Sequence, residues 1–351
     1  MKSLTLFNNK GGVGKTTLIF NIAHMLARQG NRVVALDYDP QCNLSALFLE
    51  EDDLYDTWSA GNIQLPDGTV QGRTVAACVD IVRRGKGELL DPKLISIADN
   101  LWLLPGHIGL SRFEQTLAEE WPKIQAADNE RALDVTTALD RLSNKAAAQV
   151  DADVVVIDVG PSLGALNRAA VLACDAIVVP LAPDLFSLQG LENVGPVLRE
   201  WRDDWQTACQ SRFRGEQALQ LPLHQFHPIG YIVQQHLARA DRIPSGYQHW
   251  ASKIPFYFHH YVLGEDEPQE TLSIESDDQC LALIKHHASL VPIAQQAAKP
   301  MFDLKQADGI GGAQLQAVAR FRKEFGAIVE RIHQKLDALP EAKPIKSNVR
   351  R

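Results

Sequence analysis

A glycine-rich segment near the start of the chain has the residue types that hold a chain of phosphates. Glycines let the backbone approach an anion closely, and the N–H groups at the start of a helix then point toward it. A lysine in this segment would neutralise phosphate charge, and the hydroxyl of the threonine after it would bind Mg²⁺. The segment predicts a site for ATP and Mg²⁺, and its residues are Lys10, Gly11, Gly12, Val13, Gly14, Lys15, Thr16 and Thr17.

The segment departs from the usual phosphate-loop pattern at one position. That pattern is Gly-x-x-x-x-Gly-Lys-Ser/Thr. When its end is aligned on Gly14, Lys15 and Thr16, its first glycine falls on Asn9, and a second lysine, Lys10, follows. A predicted strand precedes the segment and a predicted helix follows it, which is the setting that a phosphate loop needs. A plain glycine-rich turn is therefore the weaker interpretation.

Acidic side chains end two other predicted strands. Asp37 and Asp39 follow the apolar run 33–36, and Asp158 follows the apolar run 154–157. The carboxyl ends of parallel strands meet at the edge where α/β proteins bind ligands, so we expect these side chains near the phosphate loop. A buried carboxylate is costly unless a cation pairs with it, and Mg²⁺ is the expected partner of Asp158. Solvated acidic turns remain the alternative at both places.

Strand and helix patterns alternate along the chain. They predict an α/β fold in three layers, with a mostly parallel, twisted sheet flanked by helices. The predicted strands are Ser3–Phe7, Arg32–Leu36, Leu101–Leu104, Asp153–Ile157, Ala176–Pro180 and Pro228–Val233. The predicted helices are Gly14–Arg28, Val75–Arg84, Leu110–Glu120, Glu130–Ala147, Leu188–Trp205 and Gln314–Leu339.

Several segments lack such a pattern. The acidic run Glu50–Asp53 predicts a solvated loop, and residues 206–226 are expected to be irregular. Insertions are expected near residues 51–98 and 236–289, and short helices in the second. We expect a single domain over residues 1–339, followed by a basic, disordered tail over residues 340–351.

Composition restricts the classes of function. The chain is 45% hydrophobic and 22% charged, as in globular proteins, and its apolar runs are too short to span a bilayer. A cytoplasmic protein without a membrane partner is therefore expected. The five cysteines are widely spaced, which argues against a disulfide framework, a zinc site or an iron–sulfur cluster. The net charge of −8 disfavours extended coating by nucleic acid but allows a local basic patch.

The segment 8–17 resembles the phosphate loop of the ParA/MinD family of deviant Walker ATPases. In that family the first lysine reaches across a dimer interface to the partner's nucleotide, so the resemblance implies a homodimer that forms with ATP. Two facing ATP molecules repel each other unless cations lie between them. Residues 33–41 are similar to the family's switch I, and residues 153–164 are similar to its Walker B strand and switch II.

This resemblance implies roles for individual residues. It implies that Mg²⁺ is held by Thr16, Asp37 and Asp158. It implies catalytic roles for Lys10, Lys15 and Asp39, of which Asp39 would orient the attacking water. The N–H of Gly160 would sense the γ-phosphate.

Two later positions resemble the residues that contact the base in the family. Gln234 lies in the segment 230–235, and Pro292 lies in the segment 291–300, which is similar to a late loop of the family. The resemblance implies that both contact the nucleotide base. Ordinary loop packing is the alternative for each residue.

Members of the family position cargo through ATP-driven dimerisation, and many bind DNA non-specifically as ATP dimers. The resemblance thus implies a Mg²⁺-dependent ATPase that partitions plasmid or chromosomal DNA or positions other cargo, together with a stimulating partner of the ParB type or another adaptor. Such a protein would associate with the nucleoid. Because the chain begins at the first strand, a separate helix-turn-helix is not expected. DNA binding needs a basic patch, and the candidates are Arg199, Arg202, Arg212, Arg214, Arg320, Arg322 and Lys323.

A second interpretation belongs to another class of protein. The insertion near 236–289 is rich in aromatic residues and histidines, which suits a surface for a protein partner. The chain would then be a nucleotide-gated interaction switch in a regulatory or defence assembly, without DNA partition activity. The spacing of these histidines matches no zinc pattern. They are His249, His259, His260, His286 and His287.

Overall fold

The computed structural model describes residues 1–125, 130–212, 226–235, 245–266, 272–285 and 290–340. These residues form a central eight-stranded sheet and a second sheet of three short strands. The strands are β1 Lys2–Leu6, β2 Val33–Asp37, β3 Asn62–Gln64, β4 Val70–Gly72, β5 Asp91–Pro92, β6 Ile95–Ala98, β7 Leu101–Leu104, β8 Val154–Asp158, β9 Ala176–Leu181, β10 His227–Gln235 and β11 Cys280–Lys285.

The strands of the central sheet follow the order β11-β10-β9-β1-β8-β2-β7-β6. Among the described residues, β6 runs antiparallel to β7, and the other neighbouring strands of this sheet are parallel. Strands β1, β2 and β8 therefore end at the same edge. Parallel sheets bind ligands at that edge, which is where the sequence places the phosphate loop and the carboxylates.

Helices connect most of these strands. Helix α1 begins at Lys15, and its apolar side chains, such as Leu18, Ile22 and Leu26, are buried. The helices are α1 Lys15–Arg28, α2 Asn43–Phe48, α3 Glu51–Ala60, α4 Val75–Arg83, α5 Leu110–Glu120, α6 Glu130–Thr136, α7 Ala138–Gln149, α8 Ala165–Leu172, α9 Leu185–Arg212, α10 Ser245–Ala251, α11 Ile254–Tyr257, α12 Val291–Gln296 and α13 Ala313–Asp337. A π-helix, Phe258–Leu263, continues α11.

Two hydrophobic cores cover the two faces of the sheet. In β2, Val33 and Ala35 join the core that contains α1 and α13. Val34 and Leu36 point to the opposite face and join the core built with α4 to α9. Successive side chains of a strand face opposite sides, so a strand buried on both faces is apolar throughout. The predicted three-layer α/β fold is confirmed.

Four details of the predicted elements were wrong. The acidic run begins helix α3 rather than a loop, because negative side chains stabilise the positive end of a helix. The segment 130–147 holds two helices, α6 and α7, and α9 extends to Arg212 through residues that were expected to be irregular. The second insertion contains its predicted short helices but also β11, which pairs with β10 as an additional edge strand.

The first insertion contains α3, α4 and the second sheet, in which β3 and β4 are antiparallel and β5 pairs with β4. None of the described helices is both long and apolar enough to cross a membrane. The predicted disordered tail lies outside the described residues beyond Pro340. The same holds for residues 213–225 of the segment that was expected to be irregular.

Candidate active site

The phosphate loop lines an open cleft at the carboxyl edge of the sheet. The cleft has a volume of about 720 Å³. Residues of the loop, of the segment after β2 and of the segment after β8 surround it. They include Gly11, Gly12, Gly14, Lys15, Thr16, Thr17, Asp39, Val159 and Pro161. The predicted phosphate-binding residues and one predicted catalytic carboxylate are thus brought together.

Backbone geometry explains two of the glycines in this loop. Gly12 and Gly14 have φ angles of 75° and 73°, in the left-handed region that favours glycine. A side chain at Gly14 would also collide with the amide of Gln234. Gln234 donates a hydrogen bond from Nε2 to the carbonyl of Val13, at 2.7 Å. The loop is therefore held from the end of β10.

The Lys15 side chain folds back along the loop. It is 7% exposed, and its Nζ donates to the carbonyls of Asn8, at 2.9 Å, and Lys10, at 3.3 Å. Burial lowers the pKa of Lys15, while Asp158 and Asp39 act in the opposite direction. The ammonium group thus lies between the loop and the carboxylates, where a phosphate group would meet it.

The other lysine of the loop is held by a different partner. Nζ of Lys10 lies 2.6 Å from Oδ2 of Asp184, in the segment that follows β9. It also lies 5.8 Å from the ring centre of Phe186. Burial raises the pKa of Asp184, but the bonds from Lys10 and Ser187 outweigh it, so the pKa is lowered. Lys10 therefore forms an ion pair within its own chain.

The two predicted metal-binding carboxylates lie side by side. Asp37 and Asp158 occupy paired positions at the ends of β2 and β8, and both are fully buried. Neither oxygen of Asp158 has a hydrogen bond of standard geometry to a described residue. Burial raises the pKa of Asp158 and so does Asp37, whereas the nearby hydroxyl of Thr16 lowers it. Two carboxylates beside a threonine hydroxyl are oxygen donors that fit Mg²⁺.

Asp37 is fixed by the start of helix α2. Its Oδ2 accepts hydrogen bonds from the N–H of Ser45, at 2.8 Å, and from the hydroxyl of Ser45, at 2.6 Å. Burial raises the pKa of Asp37, and the bonds from Ser45 oppose that rise. The orientation of this carboxylate therefore depends on Ser45, which the sequence did not single out.

The third carboxylate faces the segment after β8. Asp39 is 5% exposed, and its Oδ1 accepts from the N–H of Gln41 at 2.9 Å. A Cβ atom on Gly160 would lie 3.3 Å from that oxygen. Nδ2 of Asn167 donates to the carbonyls of Gly160, at 2.8 Å, and Ser162, at 2.7 Å. Asp39 is thus close to the residue predicted to sense the γ-phosphate, and α8 holds that residue in place.

Neither of the two predicted base-contacting residues is among those that line the cleft. Gln234 contacts the back of the loop. Pro292 is exposed at the first turn of α12 and is not among the residues that line the cleft. Gln295 of the same helix and Leu47 of α2 do line it. Contact of Gln234 and Pro292 with a base stays a prediction.

Several site residues gave no signal in the sequence. Ser45 belongs to a helix of six residues, too short to show periodicity. Asn167 and Asp184 are polar residues near helix starts, where such residues are common. Their partners lie elsewhere in the chain, so only the fold identifies them.

The candidate basic residues with described side chains do not form one free patch. Arg199 donates to the carbonyl of Tyr261, and Arg322 donates to the carbonyl of Phe302 at 2.7 Å. Arg320 and Lys323 are exposed on α13, and neither has an ion pair to another described residue. The remaining candidates are Arg202, which lies 3.9 Å from Asp203, and Arg212 and Arg214, whose side chains lie outside the described part.

Comparison with known proteins identifies the relatives of the chain. The model of an AAA domain family (AAA_31) matches residues 1–210, which is more than half of the 351 residues. The sporulation initiation inhibitor protein Soj of Bacillus subtilis is 30% identical over 194 residues, which are 55% of this chain and 63% of Soj. The match thus spans less than two thirds of that relative.

Solved structures extend the likeness to almost the whole chain. Protein DIP2308 of Corynebacterium diphtheriae has a TM-score of 0.65 and 23% identity, over 96% of this chain and 99% of its own. The ATP complex of a point variant of McdA from Cyanothece has a TM-score of 0.57 and 18% identity, over 95% of this chain and 96% of its own. At these identities the likeness shows the fold.

The match to the family model, the similarity to Soj and the shared fold all agree with the resemblance of the phosphate loop to that of the ParA/MinD family. A phosphate loop with two lysines begins α1, and carboxylates end the adjacent strands β2 and β8. The chain belongs to the ParA/MinD family of P-loop ATPases.

Proposed function

We propose that the chain hydrolyses ATP to ADP and phosphate with Mg²⁺, forms a homodimer when ATP binds, and uses this cycle to partition DNA or to position other cargo. The observation that carries the proposal is the Asp158 carboxylate. It is fully buried beside Asp37 and Thr16, and it lacks a standard hydrogen bond within the described chain. A buried carboxylate without a partner costs stability unless a cation compensates it.

The residues around the cleft divide the proposed reaction between them. Lys15 and the loop N–H groups would hold the β- and γ-phosphates. Thr16, Asp37 and Asp158 would hold Mg²⁺, which offsets charge on the phosphate oxygens. Asp39, beside Gly160, would orient the water that attacks the γ-phosphate. Because every element comes from one sheet edge, the reacting groups would be positioned before the substrate arrives.

The surface around the cleft supports a nucleotide-dependent dimer. Four large apolar side chains are exposed in segments that follow β7, β8 and β9, which all end at the same edge. Exposed apolar groups beside a polar cleft are typical of protein interfaces. They are Ile108, Leu163, Leu185 and Phe186. Phe186 lies against Lys10, the residue that the family resemblance assigns to the partner's nucleotide.

Light scattering with ATP and Mg²⁺ tests the dimer. We expect the wild-type mass to double with ATP, and Lys15→Ala to stay monomeric because it does not bind the nucleotide. Lys10→Ala should bind ATP and stay monomeric, since its ammonium is not needed to form the loop. Lys86→Ala, which changes an exposed lysine, is the control. A Lys15→Ala protein that dimerised like wild type would contradict the proposal.

A nucleotide-gated interaction switch without DNA binding is the second candidate function. Two of the candidate DNA-binding arginines, Arg199 and Arg322, already donate to backbone carbonyls. The second insertion also carries half-buried aromatic rings, among them Phe256 stacked on His260, with ring centres 5.8 Å apart. Aromatic side chains are enriched in protein interfaces. The two functions differ in whether the ATP-bound protein binds DNA.

A further inference from the structure

A chain of hydrogen bonds connects the first insertion to the carboxylate Asp37. The indole N–H of Trp58, on α3, donates to the carbonyl of Gly106 at 2.9 Å. The N–H of Gly106 donates to the hydroxyl oxygen of Ser45, also at 2.9 Å. That hydroxyl donates in turn to Oδ2 of Asp37 at 2.6 Å. Each group of the chain is therefore oriented by the one before it.

The backbone at Gly106, in the middle of this series of hydrogen bonds, has little freedom to move. A Cβ atom on Gly106 would lie 3.0 Å from Cγ and 3.0 Å from the carbonyl oxygen of Asp37, so the backbone there is already in close contact with the carboxylate. The carbonyl of Pro105 accepts from the N–H of Val75 at 2.9 Å. The ring of His107 lies edge-on to Trp58, with ring centres 6.0 Å apart. Residues 105–107 are thus held by α2, α3 and α4 together.

Water cannot readily replace the hydrogen bond between Ser45 and Asp37. Ser45 and Asp37 are both fully buried, so a displaced hydroxyl would leave the carboxylate with one fewer partner. Trp58 is half-buried, and its helix also presents Tyr55, which is 68% exposed. The chain therefore runs from a surface helix to a buried side chain at the proposed Mg²⁺ site.

We propose that Trp58 is a positioning residue for Asp37: its indole fixes Gly106, and Gly106 and Ser45 then set the orientation in which Asp37 supports Mg²⁺. This inference rests on the proposed function. It gives the first insertion a role at the nucleotide site, since a displacement of α3 shifts Gly106 and with it the hydroxyl that orients Asp37. Groups that orient a metal ligand commonly change metal affinity about 10–100-fold when they are removed.

The test measures equilibrium binding of a fluorescent ATP analogue during a Mg²⁺ titration, and a second series in EDTA. Ser45→Ala removes the direct partner of Asp37, so its half-saturating Mg²⁺ concentration should rise about 10–100-fold. Trp58→Phe keeps a ring but loses one hydrogen bond, so a rise of about 3–10-fold is expected. Tyr55→Phe, on the same helix, should titrate like wild type. Affinity in EDTA should be unchanged in all three variants.

The outcomes separate this inference from the proposed function. If Trp58→Phe titrates like wild type, the positioning role is wrong and the proposed function stands. The positioning role is also wrong if Trp58→Phe weakens binding equally with Mg²⁺ and in EDTA, because that pattern indicates a general structural defect. If the wild-type protein binds the analogue no better with Mg²⁺ than in EDTA, both fail. Thermal melting without nucleotide checks that each variant folds. If Trp58→Phe does not fold, a Ser45→Ala protein that titrates like wild type overturns the inference, because the hydrogen bonds from Trp58 reach Asp37 through the Ser45 hydroxyl.

Discussion

The two lysines of the phosphate loop have different surroundings although they lie only five positions apart. Lys15 is buried between loop carbonyls and carboxylates. Lys10 is 26% exposed in its side chain and paired with Asp184. A partly exposed ion pair contributes about 0–1 kcal/mol, so this pair is weak enough to exchange for another anion. The geometry suits a lysine that changes partners when a nucleotide of a second subunit arrives.

Asp39 is the residue for which the sharpest change in rate is expected. Replacing Asp39 with Asn keeps the size of the side chain but removes the charge that would orient the attacking water. Hydrolysis should fall by about 10²–10⁴-fold, while ATP binding and dimerisation remain, because Lys15 and the two carboxylates proposed to hold Mg²⁺ are unchanged. Phosphate release measures hydrolysis, and light scattering with ATP and Mg²⁺ measures dimerisation. Asp53→Asn, an exposed acid on α3, is the control, and a loss of ATP binding in Asp39→Asn would contradict the assigned role.

At the scale of elements, helix α9 links the cleft to the second insertion. It begins next to Asp184 and carries Pro196 within it. The π-helix crosses it where Gly195 meets the carbonyl of Tyr261. No side chain fits there without a shift of backbone, so the second insertion depends on that glycine for its close approach.

A matched pair of glycine substitutions tests this crossing. Gly195→Ala should lower the free energy of unfolding by about 1–3 kcal/mol, because the methyl group would displace the π-helix. Gly326→Ala, within α13, meets nothing within 4 Å and should raise it by about 0.5–1 kcal/mol, since alanine favours helices. Urea denaturation measures both. Equal stabilisation by the two changes would mean that the two helices do not pack closely at Gly195.

A pH-dependent contact holds the same insertion to the sheet. His259 of the π-helix lies between Glu265, at 2.8 Å, and Asp277, at 3.1 Å, and Tyr231 of β10 donates to Asp277 at 2.7 Å. Burial lowers the pKa of His259, but the two carboxylates outweigh it, and the pKa is raised above its ordinary value of 6.5. The charged form of His259 is therefore the one that the fold stabilises.

The sign of the pH effect follows from that shift. A raised pKa in the folded state gives stability that is fully present below pH 6.5 and is lost as the pH rises through the raised value. Urea denaturation at pH values below 6.5 and above the raised pKa should show that the free energy of unfolding falls with rising pH in wild type. The same fall should be absent in His259→Gln. His249→Gln, at an exposed histidine, should behave like wild type. If the free energy of unfolding changed with pH in the same way in wild type and His259→Gln, His259 would be excluded as the source of the pH dependence.

The sequence predicted elements best where one pattern ran through the whole element. The apolar runs of β2 and β8 and the periodicity of α13 were found within one or two residues of their ends. Strand β11 was missed because its identity depends on pairing with β10. At the site, the phosphate loop and the carboxylates could be predicted because each is marked by a short local sequence pattern. Ser45, Asp184 and Trp58 do not, because their roles depend on contacts between segments that are distant in the chain.

At the scale of the whole molecule, the fold extends beyond the segment that matches the family model. That match ends at residue 210, but β10, β11 and α13 still contribute to the core on one face of the sheet. Ile232 of β10, Leu281 of β11 and Phe321 of α13 are all buried in it. The family segment therefore depends on later residues to cover its sheet, and α13 adds the exposed cations Arg320 and Lys323.

DNA binding tests what the whole molecule does. If the chain partitions DNA, the wild type should bind non-specific duplex DNA at low salt only with ATP, and Lys10→Ala should not. Changing both Arg320 and Lys323 to Ala should weaken binding and lower the salt slope by about 1 for each phosphate that these side chains neutralise. Filter binding at several salt concentrations measures this, with Lys86→Ala as control. A wild-type protein that ignores DNA at low salt would favour the interaction switch.

The position of β1 in the sheet has a consequence during synthesis. β1 lies between β8 and β9, and Lys2 pairs with Val154 while Leu4 pairs with Ala176. Both neighbours leave the ribosome long after β1 does. At about 5–20 residues per second, the wait between β1 and β8 is about 8–30 s. The nascent chain thus carries its nucleotide-binding sequence before the two neighbours of β1 exist, and ATP can begin to stabilise the assembled sheet only after β8 and β9 have emerged.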